Sequence, residues 1–407
     1  MLAAGLVVSY ILAVCLAFGL LRWRDYDIAF SGVAWPPAWQ RFHETQARLF
    51  LKRGREAYGA GRLNEAVLAL SYAFERDPRL YEAGGLLAWL WQSSQPSLAN
   101  RIYLQLIRDH PSRRKETAQR WYRALLNRGD FEAIGQLATE MLVQDPTDAD
   151  AWTYALLFAS RQQPSPALLD AALARSEPLP TGIRSLLQLE KRVRSASSDE
   201  ARRALTASDS VTGILPFAFY HRIDGLIRLG YPTDALNVLS SPTGLDARTR
   251  ARLRLDSLAK SGDLETRRLE IGAMLTPTPT LASVELLCAH LIRFPQAALT
   301  NELFASLEMA PLSPRPDHYT GYTALFCLAA VTENGPRCRQ FGETLRQLSG
   351  APLAFLPSVE AFFRGETEDK RMGTYLSRLQ PLSLEVVCAL YERQTDRAPA
   401  PVALRNE

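Results

Sequence analysis

With 407 residues, 47% of them hydrophobic and 22% charged, the chain holds enough apolar side chain to fold, which excludes a disordered polymer. A formal charge of only +4 gives no electrostatic footprint for nucleic acid. The five cysteines, at 15, 288, 327, 338 and 388, form no C-x-x-C pair, so neither a disulfide framework nor a zinc ribbon is expected, and they read as small buried hydrophobes.

Leu2 to Leu21 carries no charge and is mostly Leu, Ala, Val, Ile and Phe. Twenty such residues as a helix cover the ~30 Å core of a bilayer, and residues 1–21 are expected to be a retained transmembrane anchor. A cleaved signal would need a basic start and an apolar run of only ~7–15 residues. Arg22, Trp23, Arg24 and Tyr26 follow, then Trp35 and Trp39, side chains suited to the headgroup level. Basic residues flank only the C-terminal end of the run, which predicts a single pass with the remainder of the chain in the cytoplasm. Pro36-Pro37 breaks any helix, so residues 22–46 read as a connector.

Ala47 to Pro78 reads as two amphipathic helices about a tight turn, Gly61-Arg62-Leu63. Gly54, Ala66 and Ala73 are small where the helices must touch, and Asp77-Pro78 stops the second. The same phase returns. Ala99 and Tyr103 precede Pro111, Gly129-Asp130-Phe131 precedes Asp145-Pro146, and Trp152 precedes Gln163-Pro164. The turn points Gly61, Gln95, Gly129 and Gln163 stand 34 residues apart. In period and in the placement of these small and aromatic residues the chain resembles the tetratricopeptide repeat (TPR), a helix–turn–helix unit of 34 residues.

Beyond Pro180 the units degrade while the phase persists, with turns near Ser197, Gly230, Gly262, Pro295, Gly335 and Gly365 at intervals of 34, 33, 32, 33, 40 and 30. Pro357 predicts a short or kinked helix, and Leu382 to Arg393 a closing helix over the last apolar face. No stretch alternates with period two, so no sheet is expected. The expected fold is all-α: a right-handed α-solenoid of about ten TPR-like helix pairs behind the transmembrane helix. The repeats would occupy 47–180, degenerate pairs 181–395 and a polar tail 396–407.

Chemistry is hard to find. His43, His110, His221, His290 and His318 stand apart and read as surface or capping residues. Gly-x-Ser-x-Gly, Walker and Gly-x-Gly-x-x-Gly patterns are absent. Carboxylates sit at helical spacing from arginines, as Glu200 does from Arg203, which solvated faces explain. No enzyme activity, metal or cofactor is expected; a buried cluster of mutually bonded polar groups would reopen the enzyme reading. Between Arg184 and Glu270 fifteen basic residues face eleven acidic ones. Arg248, Arg250, Arg252 and Arg254 are the densest part. They read as a solvated surface, with an anionic partner as the sharper alternative.

TPR arrays typically bind proteins in a concave face lined by the first helix of each unit. The resemblance therefore implies protein partners, membrane association through residues 1–21, and no nucleic acid. Placed on the TPR phase, the groove residues of the first unit are Arg48, Arg55 and Tyr58, and of the second Glu82, Trp89 and Gln92. The third unit supplies Glu116, Gln119, Arg123 and Asn127, and the fourth Asp150, Thr153 and Arg161. The carboxylate clamp of some family members is not reproduced, since Leu51, Arg55, Gly85 and Trp89 occupy its positions. The plan is similar to bacterial inner-membrane TPR proteins of envelope assembly, some of which add a C-terminal zinc ribbon that this chain lacks. That implies a membrane-tethered scaffold; an extracytoplasmic TPR protein of secretion or surface-polymer export is the alternative.

Overall fold

The computed structural model describes residues 2–24, 26–163, 166–175, 179, 182–207, 216–242, 244–379 and 381–397. Side chains are described for the same residues except 2–7, 38, 40, 41, 146, 216 and 395–397. The polar tail from 398 onward, Pro164 and Pro180 lie outside the described residues. Helices and turns account for the rest, with no strand among the described residues, and the fold is all-α. The chain divides into two units, Met1–Ala124 and Leu125–Glu407.

The first unit holds α1 (Leu2–Trp23), α2 (Phe30–Ala34), a 3-10 turn (Pro36–Arg41), α3 (Phe42–Gly59), α4 (Leu63–Arg76), α5 (Tyr81–Ser94), α6 (Pro96–Asp109) and most of α7 (Arg114–Arg128). The side chains of α1 are described from Val8 onward, and among the described residues no helix is long and apolar enough to cross a membrane. The segment after α1 is not extended. Phe18 meets Phe30 edge-on at 5.5 Å, the Tyr10 hydroxyl donates to the Ala34 carbonyl (2.6 Å), and Trp39 Nε1 donates to the Val33 carbonyl (2.8 Å).

α3 and α4 cross where their side chains are smallest. Ala66 and Ala73 are fully buried, and a Cβ on Gly54 would lie 2.8 Å from Leu70 Cγ, closer than packed carbons allow. Gly61 turns the chain with φ +74°, a region a side chain disfavours, and Arg62 N–H reaches back to the Ala57 carbonyl at 2.9 Å. Further along, Trp121 stacks on Tyr103 at 5.7 Å and donates through Nε1 to Asn100 (2.9 Å), so its polar edge is satisfied in the core.

The second unit continues from the end of α7 through α8 (Phe131–Gln144), α9 (Ala149–Arg161), α10 (Ala167–Leu173), α11 (Ile183–Ser195), α12 (Ser198–Thr206), α13 (Pro216–Leu229) and α14 (Pro232–Ser240). Then come α15 (Ala247–Ser261), α16 (Leu264–Leu275), α17 (Leu281–Arg293), α18 (Ala297–Met309), α19 (Tyr319–Val331), α20 (Gly335–Ser349), α21 (Leu356–Arg364), α22 (Met372–Leu376) and α23 (Leu384–Arg397). The turns at Gly129, Gly230 and Gly262 repeat the Gly61 geometry: φ is +67°, +82° and +78°, and the next residue's N–H bonds back to Leu125, Leu226 and Leu258. Helix α19 is the heart of the unit, buried from Gly321 to Val331.

Pro357 sits in the first turn of α21, where its missing N–H costs nothing, and that helix is short, at 9 residues, as the proline led one to expect. One expectation about the C-terminal part is corrected. The final helix does not cap the end of the array. Tyr391 on α23 donates to the Leu126 carbonyl at 2.8 Å and meets Phe131 edge-on at 5.2 Å. Gly373 on α22 is pressed so closely on Arg128 that a Cβ would lie 2.3 Å from its backbone. The second unit, which begins at Leu125, includes this return to the end of α7.

Candidate functional site

In the first unit, α3 and α5 carry six of the expected groove residues, and the structure brings four of them together in pairs. Arg55 Nη2 donates to Glu82 Oε2 at 2.7 Å, and Tyr58 meets Trp89 edge-on with ring centroids 5.6 Å apart. The two rings remain 38% and 40% exposed, which is unusual for large aromatics that have already found each other. An exposed ion pair contributes only ~0.2–1 kcal/mol to stability, so the fold does not depend on Arg55 and Glu82. Arg48 is exposed, and Gln92 is half-buried beside the Tyr103 hydroxyl. On α7, Glu116 pairs with Arg120 at 3.0 Å, and Gln119 and Arg123 are exposed.

The second unit treats its share of those residues differently. Asn127 and Thr153 are buried, Thr153 bonding to the Ala149 carbonyl of its own helix, and Asp150 is half-buried. Arg161 is locked in ion pairs. Asn127 and Thr153 are thus buried, and Arg161 is half-buried with its guanidinium engaged by carboxylates of neighbouring helices.

Arg161 opens a chain of buried charges that runs from α9 to α23. It donates from Nε and Nη2 to both oxygens of Glu190 (2.8 and 2.9 Å) and from Nη1 to Asp224 (2.7 Å). His221 Nε2 lies 2.6 Å from Glu190. Asp224 also accepts from Arg228 Nε (2.8 Å) and Arg293 Nη2 (3.1 Å). Arg293 Nη1 continues to Asp256 (2.7 Å), whose other oxygen holds His290 Nδ1 at 2.6 Å. Arg267 closes this end by donating to His290 Nε2 (2.8 Å) and to the Phe294 carbonyl (2.6 Å). Glu392 of α23 joins the chain by pairing with Arg228 and with Arg293 Nε.

The protonation states follow from these partners. Burial alone would raise the carboxyls of Glu190 and Asp224, but Arg161 at the first, and Arg228, Arg293 and Arg161 at the second, hold both well below the usual carboxylate range. Asp256 is lowered likewise, by Arg293 and His290 against its burial. Burial pushes His290 down despite Asp256, so its ring is neutral at neutral pH. Cys388, which accepts the Tyr154 hydroxyl at 3.3 Å, has its thiol pushed up to about 12 by burial and is inert.

Expectation and structure part at two points. His221 and His290 are buried members of this network, not surface or capping residues. The arginines of α15 do not form one solvated surface: Arg250 and Arg254 point to solvent, while Arg248 and Arg252, one turn apart, face inward and are half-buried. The missed signal was columnar. Glu190, Asp224, Asp256 and His290 fall at intervals of 34, 32 and 34, the repeat period itself. Among the described residues no group of three or more His, Cys, Asp or Glu is arranged to hold a metal.

No protein-family model, no curated protein and no solved structure matches the chain.

Proposed function

We propose that this protein is a membrane-tethered scaffold that binds other proteins along the first helices of a TPR-like α-solenoid, with α1 as the anchor and the repeats in the cytoplasm. The observation that carries the reading is the exposed Arg55–Glu82 and Tyr58–Trp89 set on α3 and α5. Aromatic and arginine side chains dominate binding hot spots because they bury large area while keeping a polar edge to bond. The binding surface is narrowed to the first unit, since α23 already lies on α9, α13 and α17 in the second.

The buried ionic chain is the cluster that would favour an enzyme, and its saturation argues against one. Each carboxylate is bonded to guanidinium or imidazole groups. The buried Asp256–His290 pair ends on Arg267, where a hydrolase would place a nucleophile. Its place is structural: removing one partner of a buried ion pair leaves the other uncompensated, at ~3–5 kcal/mol.

A photo-crosslinking residue at Tyr58 tests the docking surface, with exposed Leu68 on α4 as the comparison. Partner crosslinks from position 58 and not from 68 are expected, and the Arg55→Ala, Trp89→Ala, Arg123→Ala triple variant loses them while keeping its helical circular dichroism. Equal crosslinking from both positions would refute the surface. A C-terminal phosphatase fusion, active only outside the cytoplasm, is expected to be silent.

A further inference from the structure

Beside the ionic chain the second unit contains a half-open cavity of about 380 Å³, at the small end of the ~300–1,000 Å³ typical of ligand sites. Three aromatic side chains, Tyr154, Phe217 and Tyr220, form one wall, packed mutually at 5.5–5.7 Å. Arg248 and Arg252 of α15 line it too, Arg252 lying 5.6 Å from the centre of the Tyr220 ring, as does Leu384, the first residue of α23.

The two arginines differ from those of the ionic chain. Arg161, Arg228 and Arg293 each hold carboxylates at 2.7–2.8 Å. Arg252 has no carboxylate within ion-pairing distance among the described residues; its Nη2 donates to the Tyr220 hydroxyl at 2.7 Å. Its Nε–H is buried with no acceptor, and so is the Nε–H of Arg248. Arg248 reaches Glu285 and Glu385 only through Nη2, at 3.4 and 3.6 Å. Asp246, the other acid of the wall, already caps α15 by accepting from Thr249 N–H at 3.0 Å. A buried guanidinium with an unmet donor is normally answered by a carboxylate or phosphate.

We propose that this cavity binds a small aromatic monocarboxylate. The carboxylate would meet the guanidinium groups of Arg252 and Arg248, and the ring would lie against Tyr154, Phe217 and Tyr220. A single negative charge matches Arg252, which has no carboxylate within ion-pairing distance among the described residues, and the aromatic wall disfavours a small hydrophilic dianion. The site is independent of the docking surface on α3 and α5.

Equilibrium dialysis of the full chain in a nonionic detergent, with detergent alone as the blank, tests this using phenylacetate, 2-phenylethanol and inorganic phosphate. Saturable binding of phenylacetate is expected, with neither the uncharged alcohol nor phosphate competing at the same concentration. Arg252→Gln is expected to weaken phenylacetate at least tenfold, while Arg254→Gln on the outer face leaves it unchanged. Should Arg252→Gln lose its helical circular dichroism, Phe217→Ala carries the test through the aromatic wall, with the same tenfold loss expected. Absence of saturable phenylacetate binding, equal binding of the alcohol, competition by phosphate, or undiminished affinity in a folded Arg252→Gln or Phe217→Ala protein would each overturn the assignment.

Discussion

The two units use charge in opposite ways. In the first, Arg55 and Glu82 bridge neighbouring helices with side chains 56% and 49% exposed. In the second, Glu190 and Asp224 bridge helices with side chains 2% and 1% exposed. Both are arginine–carboxylate pairs between helices, and helical spacing does not distinguish them. What differs is the cover. A helix laid over α9, α13 and α17 removes the water, and in the resulting low dielectric each charge must be answered or the helices separate. Burial is therefore decided by what returns to a face, not by the residues on it.

The contrast can be broken most directly at Asp224, which holds three arginines. Asp224→Ala is expected to cost ~3–5 kcal/mol, while Glu82→Ala stays within about 1 kcal/mol, read as urea midpoints by circular dichroism. Equal shifts would mean that the ionic chain is as solvated as the surface pair. A smaller effect is expected at Gly373. A methyl there strikes the backbone of Arg128, which cannot rotate away, so Gly373→Ala should cost ~1–3 kcal/mol. Hydrogen exchange should rise over α22 and α23, whereas Gly59→Ala on α3, with nothing within 4 Å of the added methyl, leaves exchange unchanged.

Acid sharpens the comparison. The folded pKa of His290 lies below its ordinary 6.5, because burial, with Arg267 and Arg293, outweighs Asp256. The unfolded chain therefore takes the proton first, and this contribution, full above about pH 6.5, is lost as pH falls below that value and through the lower pKa of the folded state. Glu190, Asp224 and Asp256 are also lowered, so their stabilisation is full above about pH 4 and lost below it. Melting temperature should show a shallow decline beginning near about pH 6.5 and a steep one below about pH 4. His290→Gln should abolish the first decline only. Stability that rises on acidification would contradict these signs. The smallest effect is expected from an Arg55/Glu82 double-mutant cycle, a coupling of ~0.2–1 kcal/mol that vanishes in high salt.

Much of the backbone plan was legible and little of the polar interior. Gly61, Gly129, Gly230 and Gly262 were readable as turns because only glycine enters the left-handed region cheaply, and all four are found there. Cys288, Cys327, Cys338 and Cys388 are buried, as unpaired cysteines among apolar residues suggest, whereas Cys15 on α1 is exposed, against that expectation. The ionic chain was hidden because each charge has an innocent local explanation on its own helix. Only its recurrence at the repeat period marks it. The landing place of α23 had no signature: its apolar residues show that it packs, but a contact such as Tyr391 with Leu126 obeys no period.

That contact has a consequence for synthesis. Tyr391 and its acceptor at Leu126 are 265 residues apart in sequence, and Glu392 follows Arg293 by nearly a hundred. At roughly 5–20 residues per second, Arg228 and Arg293 leave the ribosome many seconds before the carboxylate that will hold them. Throughout that interval the face later covered by α23 is open, cationic and lined with tyrosine and phenylalanine. The nascent chain is thus most vulnerable to misassociation just before its last helix emerges, and a ribosome stalled or terminated ahead of Leu384 would release α9, α13 and α17 without their cover.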